Sequence, residues 1–188
     1  MQEIEPYYNW RHLYVSEKDE KSPFFEQEYS EFTYSDRIYN FYIHPQWDNM
    51  GSPTLFLKLI YIDYNTGHAI VELMGEWNDC INNDIMYFKR EIADHFGMNG
   101  INKYILIGEN VLNFHYSDDS YYEEWFDDIE DGYIVAVNFH EHVLREFNEV
   151  GLDNYILWGG VLNDLEWRAN KPQYTIAKID ALVNKRLS

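Results

Sequence analysis

The sequence contains one cysteine, few basic residues and no long apolar run. The single cysteine, Cys80, excludes an intramolecular disulfide and a zinc site built from several thiolates of this chain. No apolar run approaches the roughly 20 residues that cross a bilayer. The first residues also lack the basic and apolar regions of a signal peptide. These absences predict a cytoplasmic protein with no membrane segment.

The charge balance is strongly acidic. The 188 residues include 33 Asp and Glu against 14 Lys and Arg, which gives a formal net charge of −19. A field of this sign repels the phosphates of nucleic acids and anionic membrane surfaces. We therefore expect no nucleic-acid partner and no membrane partner. A protein partner and self-association both remain compatible with the charge.

Aromatic side chains are abundant and are frequent in the N-terminal part of the chain. They make up 18% of the sequence, and residues 1–35 mix them with acidic residues without a helical or strand period. Because disordered segments are poor in aromatics, this pattern predicts an arm that docks onto the main body or onto a neighbouring subunit. The sequence thus divides into an acidic aromatic arm, residues 1–35, and a single α/β domain, residues 36–188.

The residues after this arm predict a mixed α/β fold. Apolar residues with period two indicate strands, and spacings of three and four indicate helices. Strands are predicted at residues 37–44, 54–64, 68–77, 103–107, 133–139 and 154–157, and helices at 81–96, 117–129, 141–149 and 172–185. The turn at 65–67 joins the second and third strands as an antiparallel hairpin. The β-α-β-α-β-α-β order that follows predicts parallel crossovers in one mixed sheet.

This order of elements resembles the STAS-type fold of anti-sigma-factor antagonists and of the wider SpoIIAA-like group. The resemblance covers roughly residues 36–186 and rests on the order and length of the elements. It implies a small cytosolic interaction or regulatory module, and some members of the group are switched by phosphorylation of a Ser or Thr at a helix start. The matching positions are Ser117 and Ser120, so the resemblance implies Ser117 as a candidate phosphorylation site. The alternative is that Ser117 only caps the helix that follows.

Polar side chains follow the predicted parallel strands. Ligands of open α/β sheets gather beyond the carboxyl ends of such strands. If the strands are neighbours, five side chains converge at this edge of the sheet: Glu109, Asn110, His115, Asn138 and His140. The sequence therefore predicts a candidate ligand-binding site there.

Two of the histidines, His140 and His142, raise the question of a metal site. In a strand, alternate residues share a face and the two rings could hold one ion. In a helix, residues two positions apart face roughly opposite sides, so the two rings would diverge. Because a predicted helix starts at this point, solvated histidines are the preferred interpretation and no metal site is predicted.

Local motifs of known chemistry are absent from the sequence. The glycines form neither a phosphate-binding loop nor a dinucleotide fingerprint, and neither a nucleophile elbow nor a zinc-protease helix occurs. No cofactor is therefore predicted. Two functions stay open: a cytosolic protein-interaction or regulatory module, which is preferred, and a small enzyme or ligand-binding domain that uses the strand-end residues.

Overall fold

The fold is given by a computed structural model that describes residues 2–30, 32–33 and 36–188. Its strands are β1 (Gln2–Ile4), β2 (Arg37–Ile38), β3 (Phe41–Ile43), β4 (Leu55–Asp63), β5 (His68–Asn78), β6 (Lys103–His115) and β7 (Tyr133–Val137). Its α-helices are α1 (Asp79–Asn82), α2 (Asp84–Tyr87), α3 (Asp94–Gly97), α4 (Ser120–Asp128), α5 (Glu141–Glu149) and α6 (Pro172–Leu187). A π-helix, Phe88–Ala93, lies between α2 and α3. None of the helices within these described ranges is long and apolar enough to cross a membrane.

The main sheet has the strand order β4-β5-β6-β7. β4 and β5 pair antiparallel, whereas β6 joins β5 and β7 joins β6 in parallel. Parallel neighbours need a crossover, and helices supply it because α1–α3 connect β5 to β6 and α4 connects β6 to β7. The predicted mixed α/β fold, an antiparallel hairpin followed by parallel crossovers, is confirmed.

The predicted strand at residues 37–44 is wrong in its extent and in its sheet. Tyr39 adopts a left-handed backbone conformation with φ 53°, so the chain reverses after Ile38 and forms the short hairpin β2–β3. β1 pairs in parallel with β3 and completes a separate three-stranded sheet. These residues therefore belong to a small second sheet.

The predicted strand at residues 154–157 is also wrong. A 3-10 turn, Leu152–Asn154, occupies its start, and Leu157 bridges to β7 only opposite Val135. The chain then enters a further 3-10 turn, Gly160–Asp164, so the pairing does not continue. The main sheet therefore ends at β7.

β6 is longer than predicted because Gly108 lies inside it. The predicted strand ends at residue 107, but β6 runs to His115. Its pairing with β5 shifts between Glu72 and Met74, which marks a bulge next to this glycine. A Cβ atom at Gly108 would overlap the ring of Phe139. The glycine thus permits a close approach of two segments and does not end the strand.

The helix predicted at residues 81–96 is interrupted twice. Asn83, with φ 54°, separates α1 from α2. The π-helix then shows its characteristic bond, from the N–H of Asp94 to the carbonyl of Lys89 five residues earlier. We call residues 79–97 the first helical segment.

The remaining helices lie close to their predicted ranges. α5 spans Glu141–Glu149 and α6 spans Pro172–Leu187, against predictions of 141–149 and 172–185. α4 starts three residues later than predicted, and Asp119 is the residue that precedes its first turn. The alternative interpretation of Ser117 as a helix cap is therefore wrong.

Both faces of the main sheet are covered. One face packs against the first helical segment, α4 and α5, with Trp77 and Trp125 among its buried side chains. The other face packs against α6, with Trp10 and Trp167 in its core. N-terminal residues are thus packed against this second face, while the division of the chain at residue 36 stays a prediction.

Substituting Gly97 by alanine is expected to raise the free energy of unfolding by about 0.5–1 kcal/mol. Gly97 ends α3, and a Cβ atom there would have no neighbour within 4 Å. Alanine therefore lowers the entropy of the unfolded chain without a clash. Urea denaturation measures the change, with Gly108→Ala as the control that should lose stability through its overlap with Phe139. A loss of stability in Gly97→Ala would contradict this account of α3.

Candidate functional site

The predicted strand-end residues Glu109 and Asn138 are brought together. Asn138 directly follows β7, and its Nδ2 donates to Oε1 of Glu109 at 2.9 Å. The same amide is tied to the backbone of Leu165, since Nδ2 donates to its carbonyl at 2.8 Å and Oδ1 accepts from its N–H at 2.7 Å. Asn138 therefore links β6 to the segment that precedes α6.

Glu109 has two further partners from that segment. The indole N–H of Trp167 donates to Oε1 at 2.9 Å, and Nη1 of Arg168 lies 2.5 Å from Oε2. Burial alone would raise the pKa of Glu109, but the hydrogen bonds from Asn138, Trp167 and Arg168 outweigh it and lower the pKa. Glu109 is therefore held as a carboxylate whose two oxygens are both occupied.

A second carboxyl, Glu72, lies next to this group and was not singled out from the sequence. Glu72 is 1% exposed, and burial raises its pKa to about 7, although the Tyr7 N–H and Arg168 act in the opposite direction. Its Oε2 accepts from the N–H of Tyr7 at 2.9 Å, and its Oε1 accepts from Asn110 at 3.4 Å. The available signal was a charge inside the otherwise apolar run at residues 69–74 of a strand that is buried on both faces.

N-terminal residues cover this group of polar side chains. The hydroxyl of Tyr7 donates to the carbonyl of Arg168 at 2.6 Å, and the indole of Trp10 donates to the carbonyl of Asn170 at 3.1 Å. The rings of Tyr7, Trp10 and Trp167 pack edge to face. We call Glu72, Glu109, Asn110 and Asn138 the strand-end cluster. The carboxylate oxygens of Glu72 and Glu109 and the amide of Asn138 all have protein partners, so this part of the cluster is a closed arrangement.

The other predicted site residues lie elsewhere. His115, at the end of β6, has Nε2 3.7 Å from Oε1 of Glu76. His140 precedes α5, and its ring stacks on that of His142 with centroids 5.7 Å apart. Within residues 2–30, 32–33 and 36–188, neither histidine forms a hydrogen bond or an ion pair with the strand-end cluster. Ser117 is exposed in the loop before α4.

Three potential metal ligands meet at the small sheet. The ligand atoms of Glu3, Glu5 and His44 lie within 4.8 Å of one another. However, Nδ1 of His44 accepts from the N–H of Gln46 at 3.1 Å, so a neutral ring carries its proton on Nε2. That nitrogen lies 3.5 Å from Glu3 and 3.9 Å from Glu5. This geometry favours a histidine–carboxylate contact, because a metal ligand needs an unprotonated nitrogen.

A cleft of about 450 Å³ lies between the first helical segment and α4. Ala93, Trp125 and Ile129 line it and are each at most 5% exposed. Met98 also lines it and is 81% exposed. The remaining lining residues are Lys89, Asp94, Gly97 and Asp128. We call this set of residues the helical cleft, which combines an apolar floor with a charged rim.

Lys89 is buried beside the helical cleft and is surrounded by acids. Its Nζ contacts the carboxylate of Asp94 and lies 2.9 Å from Asp128 and 3.6 Å from Glu124. Burial lowers the pKa of Lys89, but its hydrogen bonds to Asp94 and Asp128 outweigh this and raise the pKa. Lys89 therefore stays charged, and nearby acids compensate its charge.

The π-helix explains how Lys89 reaches Asp94. In an α-helix, residues five apart point about 140° away from each other. The wider π turn brings positions i and i+5 to the same side of the helix. Arg90, the next residue, reaches α4 through two bonds to Glu124 at 2.8 and 3.0 Å. The interruption in the first helical segment thus places both bases against α4.

The acidic charge around the helical cleft exceeds the basic charge. Lys89 and Arg90 are matched by three carboxylates, those of Asp94, Glu124 and Asp128. Residues 118–131 hold eight acids and no base. The rim of the helical cleft therefore carries a negative field beside exposed apolar surface.

Comparison with known proteins yields likenesses of fold. No family model and no curated protein matches the sequence. Among solved structures, the chain is similar to the anti-sigma factor antagonist SpoIIAA in its unphosphorylated form, with 11% identity, a TM-score of 0.46, and coverage of 66% of this chain and 96% of that one. It is also similar to the phosphorylated form of SpoIIAA, described as a Bacillus cell fate determinant, with 11% identity, a TM-score of 0.41, and coverage of 65% and 98%. The SpoIIAA-like resemblance expected from the element order is thus found among solved structures.

Proposed function

We propose that this chain is a cytosolic protein-interaction module that binds its partner through the helical cleft and the adjoining surface of α4. The observation that carries the proposal is the combination of an apolar lining, with Met98 exposed at its edge, and an acidic rim in one cleft. Exposed apolar surface rimmed by polar residues is typical of protein-binding sites. The acidic rim adds long-range attraction for a partner of opposite charge.

The strand-end cluster supports a second candidate function, a small enzyme or ligand-binding domain. The supporting observation is that two neighbouring carboxyls have pKa values moved in opposite directions, with Glu72 raised to about 7 and Glu109 lowered. Such pairs are typical of acid and base roles in catalysis. We prefer the interaction module because Tyr7 and Trp167 already occupy the polar atoms of this cluster.

Ser117 remains our candidate phosphorylation site. It is exposed and directly precedes Asp118. A phosphate there would add negative charge beside Asp118 and Asp119 and would strengthen the acidic field near α4. In this proposal, phosphorylation changes the affinity for the partner and leaves the fold intact.

Reversing the charge at the end of α4 is expected to lower partner retention about tenfold. The variant Asp127→Lys/Glu130→Lys changes two exposed side chains beside the helical cleft. The control Glu146→Lys/Glu149→Lys makes the same change in charge at the end of α5. The measurement compares the proteins that each immobilised variant retains from an extract of the source cells at physiological salt.

The two variants separate a specific surface from a general charge effect. A partner retained by the wild type and the α5 control but lost by the α4 variant is the expected result. Equal retention by all three proteins, or equal loss in both variants, would count against the proposed surface. Retention that depends on Glu109 instead, tested with Glu109→Gln, would favour the second candidate function.

A further inference from the structure

We infer that the occupant of the helical cleft is a basic amphipathic segment of another protein, which places apolar side chains on Ala93, Trp125 and Ile129 and a lysine or arginine against Asp94 and Asp128. This inference rests on the proposed function and names the chemistry of the partner. It follows from the floor, the rim and the net charge of the chain, each of which excludes other occupants.

The floor of the helical cleft selects an apolar group. Ala93, Trp125 and Ile129 bound the cleft with carbon atoms, although each is at most 5% exposed, and the cleft volume of about 450 Å³ is in the range of ligand sites. Met98 extends this surface outward, because its side chain is 81% exposed at the edge of the same cleft. Methionine adapts to irregular apolar partners, and it is common on surfaces that bind amphipathic helices. A partner lacking apolar side chains would leave this surface in water.

The rim selects a cation. Asp94 and Asp128 line the helical cleft, and their carboxylates are 35% and 59% exposed, so both can meet a further charge while they pair with Lys89. The three carboxylates exceed Lys89 and Arg90 by one negative charge. A lysine or arginine from a partner would balance that charge, whereas an acidic segment would be repelled.

The net charge disfavours a second copy of this chain as the occupant. Two copies each carry a formal charge of −19 and repel one another at moderate salt. α4 itself lies within a stretch of eight acids without a base. Complementary charge therefore has to come from a different, basic polypeptide.

The test uses the full chain and three short synthetic peptides. The first carries leucine on one helical face and lysine on the other. The second keeps the lysines and replaces leucine by serine, and the third keeps the leucines and replaces lysine by glutamate. Binding is measured by calorimetry and by the shift of the Trp125 indole signal in the nuclear magnetic resonance spectrum. Trp47, buried in the separate core of the small sheet, is the internal reference.

Two substitutions of exposed apolar residues give a matched pair. Met98→Lys adds a positive charge at the edge of the helical cleft, while Ile81→Lys makes the same kind of change on α1, outside it. The side chains are 81% and 82% exposed, so neither change disturbs the core. We expect the leucine–lysine peptide to bind the wild type and Ile81→Lys alike and Met98→Lys about tenfold more weakly.

The peptide comparison separates the expected mode from simple charge attraction. The serine–lysine peptide should bind about tenfold more weakly than the leucine–lysine peptide, the leucine–glutamate peptide should not bind, and only the Trp125 signal should shift. Equal loss in Met98→Lys and Ile81→Lys, equal binding of the serine peptide, or an unmoved Trp125 signal would overturn the inference. A molecular mass that doubles as the protein concentration rises in the wild type, but not in Met98→Lys, would overturn the inference and would identify a second copy of the chain as the occupant.

Failure of this inference is distinguishable from failure of the proposed function. If Asp127→Lys/Glu130→Lys loses a cellular partner and Met98→Lys retains it, the chain is an interaction module that binds through the surface of α4, and the inferred occupant of the helical cleft is ruled out. If both variants retain every partner, the proposed function fails as well.

Discussion

Substituting Lys58 by methionine is expected to lower the free energy of unfolding by about 3–5 kcal/mol at pH 8. Lys58 is 8% exposed, and its Nζ lies 3.7 Å from Oδ2 of Asp48, which is 1% exposed. The ammonium also lies 4.2 Å from the centroid of the Tyr29 ring. Methionine fills a similar volume but leaves the Asp48 carboxylate buried without its cation. Chemical denaturation measures the loss.

The same substitution is expected to cost less at pH 5. Burial raises the pKa of Asp48 to about 7 although Lys58 lowers it, and removing Lys58 raises the pKa further. At pH 5 the lone carboxyl therefore takes up a proton and becomes neutral in the folded state. The double variant Asp48→Asn/Lys58→Met keeps an oxygen for the Tyr29 hydroxyl and should recover most of the stability at pH 8. A single variant as stable as the wild type at pH 8 would contradict this account of the pair.

The wild type is expected to lose stability between pH 5 and pH 8. Substituting Glu72 by glutamine is expected to make that loss smaller by about 2–3 kcal/mol. The pKa of Glu72 is about 7 in the folded state, against an ordinary value of 4.5. At pH values between 4.5 and about 7, Glu72 holds a proton in the folded chain that it has released in the unfolded chain. Stability from this group is therefore present at low pH and is lost as the pH rises through about 7.

The measured quantity for Glu72→Gln is the difference in unfolding free energy between pH 5 and pH 8, compared with the wild type. Asp48 and Asp79, whose pKa values burial raises to about 7 and about 6, still contribute to the slope in the variant. Glu76→Gln on the same strand is the control. The pKa of Glu76 is lowered, so its contribution to the pH dependence of stability occurs at more acidic pH. A variant with the same loss as the wild type would mean that Glu72 is not buried as a neutral acid.

Local sequence patterns predicted the parts of the fold that depend on short-range periodicity. The hairpin β4–β5 follows from alternating apolar residues around a turn, and α5 and α6 follow from their helical stripes and end signals. Residues 37–44 and 154–157 also have strand-like composition. Their pairing depends on the left-handed conformation of Tyr39 and on the turn after Leu157, which no local pattern specifies.

The residues of the candidate site were harder to predict because their positions depend on contacts between distant parts of the chain. Gly108 looked like the end of a strand, but the ring of Phe139, which is distant in sequence, is the reason for a glycine there. Glu109 and Asn138, two of the five residues expected at the ends of the parallel strands, are joined by a hydrogen bond. Glu72 was missed because its partner Tyr7 lies 65 residues away in the sequence. His115 lies apart from the cluster because β6 continues past its bulge to residue 115.

The helical cleft could not be predicted from local sequence patterns either. The stripe of apolar residues in the first helical segment predicted one continuous helix, and a π turn has no composition of its own. Only that turn brings Lys89 and Asp94 to one side, facing Asp128 of α4. Sequence indicated an acidic α4, whereas the apolar floor beside it appears only once the two helices are packed.

Position-dependent photo-crosslinking in the source cells tests most directly whether the helical cleft binds a partner. A photoreactive residue placed at Met98 reports on the cleft, one at Ile81 on exposed surface outside it, and one at Arg168 on the strand-end cluster. We predict a protein adduct from position 98 and none from positions 81 and 168. An adduct from position 168 without one from position 98 would contradict the account and would place the functional site at Glu72 and Glu109.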